Sequence, residues 1–252
     1  MNQPKVSIIT VAFNSDKTIE DTIKSVVNQT YPNIEYIIID GQSSDNTLDI
    51  CNQYNDKISK IISEKDKGIY DAMNKGIKNS TGDIIGILNS DDFYANNQVI
   101  EKIVNTFIQH QPDAVYANLV YVDANDANKI TRTWIAGNYK PKAFLKGWMP
   151  PHPTFFIKKD CYNKYGHYTL KLKSAADYEL MLRMIHKHNI KVAYLDEIIT
   201  KMRVGGMSNA SIKNRLKANK EDKMAWKMNG LKPNLLTLIR KPLSKITQFL
   251  KK

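Results

Sequence analysis

The chain has 252 residues, 42% of them hydrophobic and 25% charged, a composition typical of a folded globular protein and unlike that of disordered or collagen-like chains. Its 37 basic residues outnumber 25 acidic ones, and the resulting net charge of +12 fits nucleic acid, an anionic membrane or an anionic substrate as partner. Cys51 and Cys161 form neither a C-x-x-C pair nor a ligand cluster, which argues against a disulfide scaffold or a zinc ribbon.

The N-terminus leads directly into a short apolar run without a cleavage pattern, so we expect no signal peptide. No stretch of the chain approaches the roughly 20 apolar residues of a membrane span. Together with the two unpaired cysteines, these features favour a reducing compartment and therefore the cytoplasm.

The first 90 residues alternate apolar runs of strand length with amphipathic helical stripes. The predicted strands lie at 5–13, 34–39, 59–63 and 83–88, and the predicted helices begin near 19, 47 and 70. Short connections between such elements are typical of a mostly parallel sheet covered by helices on both faces. In these sheets ligands bind outside the carboxyl ends of the strands. The candidate strand ends are Phe13-Asn14, Asp40-Gly41 and Asn89-Ser90-Asp91-Asp92.

The second half of the chain is less regular. Residues 114–122 predict a strand and residues 175–187 predict a helix. Residues 139–157, between them, mix aromatic residues and prolines. Gly205-Gly206 predicts a flexible loop before a basic C-terminal helix.

The positive charge is concentrated at the C-terminus. Residues 209–252 contain 12 Lys and Arg and two acids, a net charge of +10, which leaves +2 for residues 1–208. Leucines and isoleucines interleave with these cations, as in a basic amphipathic helix that anchors a protein at a membrane surface. The alternative is a helix that packs its apolar side on the body. Nucleic acid is disfavoured because the body has no basic stripe interleaved with exposed aromatics.

Asp91-Asp92 is the most informative acidic pair. Two adjacent carboxylates repel each other unless a positive group lies beside them, and after a buried strand that group is often a divalent cation with oxygen ligands. The alternative is a solvated turn in which an aspartate caps the next helix. Asp40 also allows two interpretations, a nucleotide contact or a residue that forms the turn after the strand.

Five motifs follow one another along residues 4–208. They are VSIITVAFN at 6–14, DGQSSDNTL at 40–48, DKGIYDAMNKG at 66–76, LNSDD at 88–92 and ADYELMLR at 176–183, with GGMS at 205–208. In this order they resemble family 2 glycosyltransferases. The resemblance implies an α/β GT-A fold, with a mostly parallel nucleotide-binding sheet flanked by helices. It implies a nucleotide-sugar-binding half at about 1–112 and an acceptor-binding half at about 113–208. The charge pattern adds a basic amphipathic helical tail at 209–252.

The resemblance also implies an activity, the inverting transfer of a sugar from a nucleotide-sugar with the help of Mn²⁺ or Mg²⁺. The likeness is greatest to bacterial enzymes of surface-polysaccharide assembly, such as O-antigen, capsule or exopolysaccharide synthesis. These move galactose or glucose from a UDP-sugar to a lipid-diphosphate-linked N-acetylhexosamine and form a β-linkage. We therefore expect a peripheral enzyme at the inner face of the cell membrane, with its tail on the anionic membrane surface.

Site residues carry over from the resemblance position by position. Asp177 is the general base, although the family often has Glu where this chain has Ala176. Asp92 and Asp91 hold the metal. The predicted nucleotide-sugar contacts are Val11, Ala12, Phe13, Asn14, Asp40, Asp71, Asn74, Asn89, Ser90 and Asp91. Candidate acceptor contacts are Trp148, His152 and Glu179, against core packing for Trp148 and an ordinary loop histidine for His152.

Three other classes of protein compete with this interpretation. A nucleotide-dependent oxidoreductase would carry G-x-G-x-x-G after the first strand, but residues 10–16 contain no glycine. A sugar nucleotidyltransferase would carry a glycine-rich, arginine-containing loop at the same place, which is also missing. A non-enzymatic nucleotide- or membrane-binding module would explain the tail and leave the four aspartates 40, 91, 92 and 177 without a function.

Overall fold

The computed structural model describes residues 3–205, 212–234 and 237, with the backbone alone for 212–219. The strands are β1 (Val6–Ala12), β2 (Ile34–Asp40), β3 (Lys60–Ser63), β4 (Ile84–Asn89), β5 (Asp92–Tyr94), β6 (Ala114–Val122), β7 (Ile130–Trp134), β8 (Phe156–Lys158) and β9 (Val192–Arg203). The helices are α1 (Ile19–Val27), α2 (Thr47–Asn52), α3 (Ile69–Asn79), α4 (Val99–His110), α5 (Lys159–Tyr165), α6 (Ala176–Met181) and α7 (Ile212–Met228). Short 3-10 turns lie at Ala143–Lys146 and His152–Thr154, and α6 continues into a π-helical segment at Leu182–Lys187.

One nine-stranded sheet runs through both halves of the chain. Its order is β3-β2-β1-β4-β8-β6-β9-β5, and β7 pairs with the outer part of β6. Strands β1 to β4 are parallel, β8 is antiparallel to both of its neighbours, and β9 runs parallel to β6. Strand β5 pairs with the end of β9, with Asp92 opposite Met202. The sheet therefore curls so that the residues directly after β4 meet the last residues of β9.

Alternation along the strands fills a core on each side of the sheet. Ile9, Ile37 and Ile39 belong to the cluster that contains α3, α6 and most of the second half. Ile8 and Ile38 belong to the cluster that contains α1 and α4. Because successive side chains of a strand point to opposite faces, continuous apolar runs such as those of β1 and β2 require cover on both faces. The predicted mixed α/β fold with a mostly parallel first half is confirmed.

Two glycines allow unusually close approach between elements. A Cβ at Gly76 would lie 2.3 Å from Ile9 Cγ2, and a Cβ at Gly86 would lie 2.4 Å from Phe156 Cε1. Real Cβ contacts are not this short, so α3 packs against β1 and the Phe156 ring packs against β4 only because both positions lack a side chain. The glycine that ends the DKGIYDAMNKG motif is thereby explained by packing.

Helix α7 packs on the body of the protein. Ala225 and Trp226 are buried in the same cluster as α6, and Leu231 packs against it. The division after residue 208 stays a prediction, but for residues 220–234 the packing alternative describes what is observed. Residues 206–211, 235, 236 and 238–252, with most of the GGMS motif and part of the basic tail, lie outside the described residues. Within the described residues, no helix combines the length and apolarity that crossing a bilayer requires.

Candidate functional site

The loops that follow β1, β2 and β4 are joined by side-chain hydrogen bonds. The Asn14 amide donates to Ser43 Oγ at 2.8 Å, and the Ser44 amide donates to Asn14 Oδ1 at 2.9 Å. Ser15 Oγ and Ser90 Oγ lie 2.8 Å apart, which connects the first loop to the loop after β4. Asn14 has a φ of 49°, a left-handed conformation in which asparagine is enriched. The three strand ends singled out from the sequence therefore form one connected edge.

Asp40 ends β2 and is fully buried. Its Oδ1 accepts a 2.5 Å hydrogen bond from Ser43 Oγ, and its Oδ2 accepts one of 2.6 Å from Ser63 Oγ. Both carboxylate oxygens thus hold the loop after β2 against the end of β3. The contact of Asp40 with a nucleobase stays a prediction, and it would require the carboxylate to exchange one of these serine partners.

At the end of β1 the exposed apolar side chain is that of Phe13, which is 63% exposed, whereas Val11 and Ala12 are buried. A Cβ at Gly41 would lie 2.6 Å from Asp66 Oδ2 and 3.3 Å from Phe13 Cδ2, so Asp66 lies beside this ring. An aromatic face next to a carboxylate can stack on a planar base and accept its hydrogen bonds. Asp66 was not among the residues predicted from the sequence, although it opens the DKGIYDAMNKG motif.

The two predicted contacts on α3 have structural partners. Asp71 Oδ2 accepts a 3.0 Å hydrogen bond from the Lys67 amide at the start of the helix. Asn74 is only 8% exposed, and its amide group makes two 2.9 Å hydrogen bonds to the backbone N–H and C=O of Tyr168. Both ends of this amide are engaged, so Asn74 positions the Tyr168 segment, and its contact with the nucleotide stays a prediction. Asp71 keeps one carboxylate oxygen for other partners.

Asp92 is a buried carboxylate with an unpartnered oxygen. It is 0% exposed, and its Oδ2 accepts a 3.3 Å hydrogen bond from Asn89 Nδ2. Asp92 Oδ1 and Asn89 Oδ1 are buried without a hydrogen-bond partner among the described residues. Burial raises the pKa of Asp92 well above its usual range, and the negative charge of Asp91 raises it further. Burial also raises the pKa of Asp91, while the Arg203 guanidinium acts in the opposite direction.

These oxygen atoms fit a divalent cation. Mg²⁺ is commonly held by one or two carboxylates, with waters and substrate phosphates completing its octahedral shell, and Mn²⁺ accepts the same ligand types. A cation beside Asp92 Oδ1 would supply the missing partner and favour the ionised form of both carboxylates. Within residues 3–205 and 220–234 no group of three or more His, Cys, Asp or Glu is placed to hold a metal ion. Asp92 and Asp91 would therefore share the cation with oxygen atoms of a bound phosphate.

Arg203, the last residue of β9, supports the acidic pair and was missed from the sequence. Its Nη1 donates to the backbone oxygen of Asp91 at 3.1 Å, and its Nη2 forms an ion pair with Asp21. Its guanidinium lies 4.7 Å from the centre of the Phe93 ring. Because β9 pairs with β5, this arginine reaches the acidic pair across the curl of the sheet, a contact that sequence spacing does not reveal.

Asp177, the predicted base, is a half-buried residue in the first turn of α6. Tyr70 donates a 3.3 Å hydrogen bond from its hydroxyl to Asp177 Oδ1, and its ring stacks on Tyr168 at 5.7 Å. Tyr168 in turn has its hydroxyl 2.8 Å from Nε2 of His152. Burial lowers the pKa of His152, and the negative charge of Asp177 acts in the opposite direction. The Tyr70 and Tyr168 rings thus connect α3 to Asp177 and His152.

Tyr121 links the acidic pair to Asp177 electrostatically. Burial raises the pKa of its phenol, the positive charge of Arg132 lowers it, and the carboxylates of Asp92 and Asp177 both raise it. The Arg132 guanidinium lies 4.5 Å from the centre of the Tyr121 ring. Tyr121 pairs with Met202 of β9, and Met202 also pairs with Asp92 of β5, so this phenol lies two strands away from the acidic pair in the sheet.

Two of the three candidate acceptor contacts are engaged in packing. Trp148 donates from Nε1 to the Ala136 oxygen at 2.7 Å, and its ring lies among other aromatic rings, in agreement with the core-packing alternative. Glu179 is 3% exposed, and its two oxygens accept hydrogen bonds of 2.9 and 3.0 Å from Arg183. These bonds hold the Glu179 carboxylate inside the protein, and its contact with an acceptor sugar stays a prediction.

Helix α7 and the residue that follows it contact the chain on both sides of Asp177. Glu221 Oε2 accepts hydrogen bonds from the amides of Lys173 and Ser174 at 3.1 and 2.8 Å, directly before α6. One turn along α7, Trp226 Nε1 donates to the hydroxyl of Tyr178 at 2.9 Å. In addition, Asn229 Nδ2, directly after α7, donates to Glu179 Oε1 at 3.0 Å. Nothing in the spacing of the sequence connects α7 with the base, and only the tertiary structure shows it.

The sequence of the chain is similar to known glycosyltransferases. A family profile described as Glycosyl transferase family 2 matches residues 7–171. An uncharacterized glycosyltransferase of Mycobacterium tuberculosis H37Rv is 32% identical over 182 residues, which cover 71% of this chain and 68% of that protein. A PGL/p-HBAD biosynthesis glycosyltransferase of Mycobacterium bovis is 25% identical over 217 residues, which cover 84% of this chain and 82% of that protein.

Two solved structures share the fold. TarS residues 1–349 of S. aureus, in complex with UDP-GlcNAc, has a TM-score of 0.69 at 18% identity, and the match covers 89% of this chain. This chain spans only 65% of that TarS structure. The mannosyltransferase PcManGT of Pyrobaculum calidifontis, in complex with GDP-Man and Mn²⁺, has a TM-score of 0.68 at 13% identity. That match covers 99% of this chain and 70% of PcManGT.

Proposed function

The chain belongs to glycosyl transferase family 2 and is a glycosyltransferase of the GT-A fold, and on this premise we propose that it transfers a hexose from a UDP-sugar to a sugar acceptor with inversion. The observation that carries the proposal is Asp92, a fully buried carboxylate directly after β4 whose Oδ1 has no hydrogen-bond partner among the described residues. With Asp91 beside it, such a carboxylate suits a site where a divalent cation holds a leaving diphosphate.

The donor binds at the connected edge formed by the loops after β1, β2 and β4. Phe13 and Asp66 offer a stacking face and a hydrogen-bond acceptor for a nucleobase. TarS and PcManGT, which share the fold, were solved with UDP-GlcNAc and GDP-Man, which supports a nucleotide-sugar as donor. The choice of a UDP-hexose, glucose or galactose, follows the resemblance of the motifs.

The diphosphate of the donor lies against Asp91 and Asp92. These residues would hold Mn²⁺ or Mg²⁺, which supplies stabilisation of the negative charge that develops on the leaving diphosphate. Asn89 orients Asp92 through its amide nitrogen and has its own oxygen free for the same site. Arg203 fixes the backbone of Asp91. The chain's own contribution is therefore a preorganised set of oxygen ligands, which costs no rearrangement during the reaction.

Asp177 removes the proton of the attacking acceptor hydroxyl. Tyr70 occupies Oδ1, so Oδ2 is the oxygen that accepts this proton. A carboxylate can act as a general base when it lies within hydrogen-bond reach of the proton that it abstracts. A single displacement with one base inverts the anomeric carbon, so an α-linked donor gives a β-linked product. No second carboxylate is needed as a nucleophile.

The acceptor in this proposal is a lipid-diphosphate-linked N-acetylhexosamine of surface-polysaccharide assembly, reached at the inner face of the membrane. The basic segment that ends the chain supports this location, because anionic lipids attract polybasic segments. We expect removal of residues 238–252, which carry five basic residues, to weaken binding to anionic vesicles while activity on a soluble acceptor is retained.

The test is a donor screen that measures release of the nucleoside diphosphate, UDP or GDP. Wild-type protein is incubated with UDP-glucose, UDP-galactose or GDP-mannose, with Mn²⁺ or with EDTA, and with undecaprenyl-diphosphate-linked GlcNAc or GalNAc. We expect acceptor-dependent UDP release from one UDP-hexose, suppressed by EDTA, and a β-linked product by NMR. An α-linked product would contradict inversion, preference for GDP-mannose would contradict the uridine donor, and absence of transfer with every pair would contradict the proposed substrates.

A further inference from the structure

Helix α7 has an exposed face that the proposed chemistry does not use. On this face Lys220, Lys223 and Lys227 are exposed, Met224 is 43% exposed and Met228 is 37% exposed. At 3.6 residues per turn these five positions fall within an arc of about 140°. We call this set the lysine–methionine face. This face combines three positive charges with two apolar, flexible side chains on one side of a single helix.

The opposite face of α7 is fixed to the body. Asp222, Ala225, Trp226 and Asn229 are buried there, and Glu221 bonds to the backbone that precedes α6. Both acids of residues 209–252, Glu221 and Asp222, are therefore kept off the exposed face. The lysine–methionine face thus presents positive charge alone, on a helix whose orientation is set by the core.

We propose that the lysine–methionine face of α7 docks on an anionic lipid bilayer. The lysines match the charge of the lipid headgroups, and the two thioether side chains can enter the boundary between headgroups and acyl chains, as in helices that lie in the membrane plane. Charge complementarity selects the partner: the face has cations and flexible apolar side chains but no exposed aromatic ring on which a nucleic-acid base could stack.

This inference rests on the proposed function, because a lipid-linked acceptor gives the docking its purpose. Helix α7 contacts the lipid on one face, and on the other it holds the backbone before α6 and the hydroxyl of Tyr178, the neighbour of Asp177. Docking therefore sets the orientation of the base relative to the membrane surface where the acceptor lies. A flexible basic tail by itself would keep the enzyme near the membrane without orienting it.

The experiment compares two full-length triple variants with the same change in net charge. The test variant is Lys220→Glu, Lys223→Glu, Lys227→Glu, and the control is Lys57→Glu, Lys78→Glu, Lys187→Glu at exposed positions elsewhere. Binding to vesicles of 30% phosphatidylserine in phosphatidylcholine is measured by sedimentation, without donor or acceptor. Each lysine near an anionic surface contributes on the order of 1 kcal/mol, so we expect the test variant to bind on the order of a hundredfold more weakly. The control should lose much less.

The outcomes separate this inference from the proposed function. Equal loss in both triple variants would show a response to net charge alone and would overturn the docking face. Release of wild-type protein from the vesicles by low concentrations of tRNA would assign the face to nucleic acid and overturn it as well. A second variant, Met224→Gln with Met228→Gln, should weaken binding in a manner that salt does not affect, and unchanged binding would contradict insertion of the methionines. Transferase activity enters none of these measurements, so failure of the donor screen leaves them interpretable.

Discussion

The donor edge and the helix that carries Asp177 are built in different ways. At the donor edge, Asp40 and Asn89 end strands of the parallel sheet, and Asp91 and Asp92 follow β4 at once, so the register of β1, β2 and β4 fixes where these residues lie. Asp177, in contrast, lies on α6, a helix of six residues whose position is not fixed by strand register. Its position depends on side chains from α3 and α7 that lie far away in sequence. The proposed donor site therefore follows from regular structure, and the position of the proposed base Asp177 depends on a few long-range contacts.

The largest effect expected from this contrast is at the base itself. Asp177→Asn keeps the shape of the side chain and the oxygen that accepts from Tyr70, but the amide cannot take a proton. We expect transfer to fall by roughly 10²–10⁴-fold, the usual contribution of a general base, with donor affinity unchanged because the donor edge is built separately. Initial rates and calorimetric UDP titration measure the two quantities. A transfer rate within tenfold of wild type would remove Asp177 from this function.

At Asp92 we expect the effect on the metal-dependent affinity for UDP. Asp92→Ala removes the unpartnered oxygen and should abolish the gain in UDP affinity that Mn²⁺ gives, by at least the roughly 10–100-fold that loss of a supporting group costs in metal affinity. Asp56→Ala, at an exposed position, is the matched control. UDP titration with and without Mn²⁺ provides the measurement. If the variant keeps its metal-dependent affinity, Asp92 does not hold the cation.

A smaller effect is expected from the support that α7 gives to α6. Glu221→Ala removes the acceptor for the Lys173 and Ser174 amides, so Asp177 should lose its fixed position. We expect kcat to fall roughly tenfold, less than the ~100-fold that a 1 Å misplacement costs, with donor affinity unchanged. Glu221→Gln, which retains a carbonyl oxygen, should recover most of the rate.

The control for this prediction is Glu101→Ala, an exposed glutamate on α4 that accepts one hydrogen bond from Thr30. Amide hydrogen exchange of the 170–180 segment gives a readout independent of activity and should accelerate in Glu221→Ala alone. A parallel fall in donor affinity and in kcat would show general destabilisation and argue against a positioning function.

The smallest effect on activity is expected at Glu35, at the other end of the donor half. Burial opposes its ionisation, but hydrogen bonds from Ser7 and Thr81, together with the charge of Lys5, lower its pKa to about 2. The folded-state pKa is thus below the model-peptide value of 4.5, so the stabilisation is complete above that pH and is lost as the pH falls towards 2.

Glu35→Gln should therefore lower the free energy of unfolding at pH 7 by up to about 3 kcal/mol and flatten its decline between pH 5 and 3, with transfer at pH 7 unchanged. Urea unfolding at pH 7, 5 and 3 measures this. A variant that declines with pH as steeply as wild type would show that other carboxylates control the acid sensitivity of the donor half.

The elements of the first 90 residues were predictable because their apolar runs and helical stripes are long and periodic. All the strands and helices predicted for this region are present, as are the strand at 114–122 and the helix beginning near 175. Strands β5 and β8, with three residues each, are too short to show alternation. In β9, polar Asp196 and Glu197 interrupt the apolar pattern where its pairing with β6 shifts register, so this strand was not predicted. Helix α4 was also missed, although its apolar spacing is regular.

The sequence by itself determined the fold class, the family and the connected donor edge, because these depend on local periodicity and on motifs at the ends of parallel strands. Only the tertiary structure decided which polar side chains remain available for chemistry. Asn74 and Glu179 stand at motif positions with polar side chains suited to a ligand. In the fold, Asn74 bonds to the backbone of Tyr168 and Glu179 bonds to Arg183.

The tertiary structure also decided what surrounds the base. Residues from α3 and α7 meet around Asp177 although they are separated from it by 107 and 44 positions in the chain, and sequence periodicity carries no information at that distance. Sequence and tertiary structure also determine different aspects of the positive charge. Its concentration after residue 208 is a property of the sequence, whereas the burial of one face of α7 decides which of those lysines face outwards.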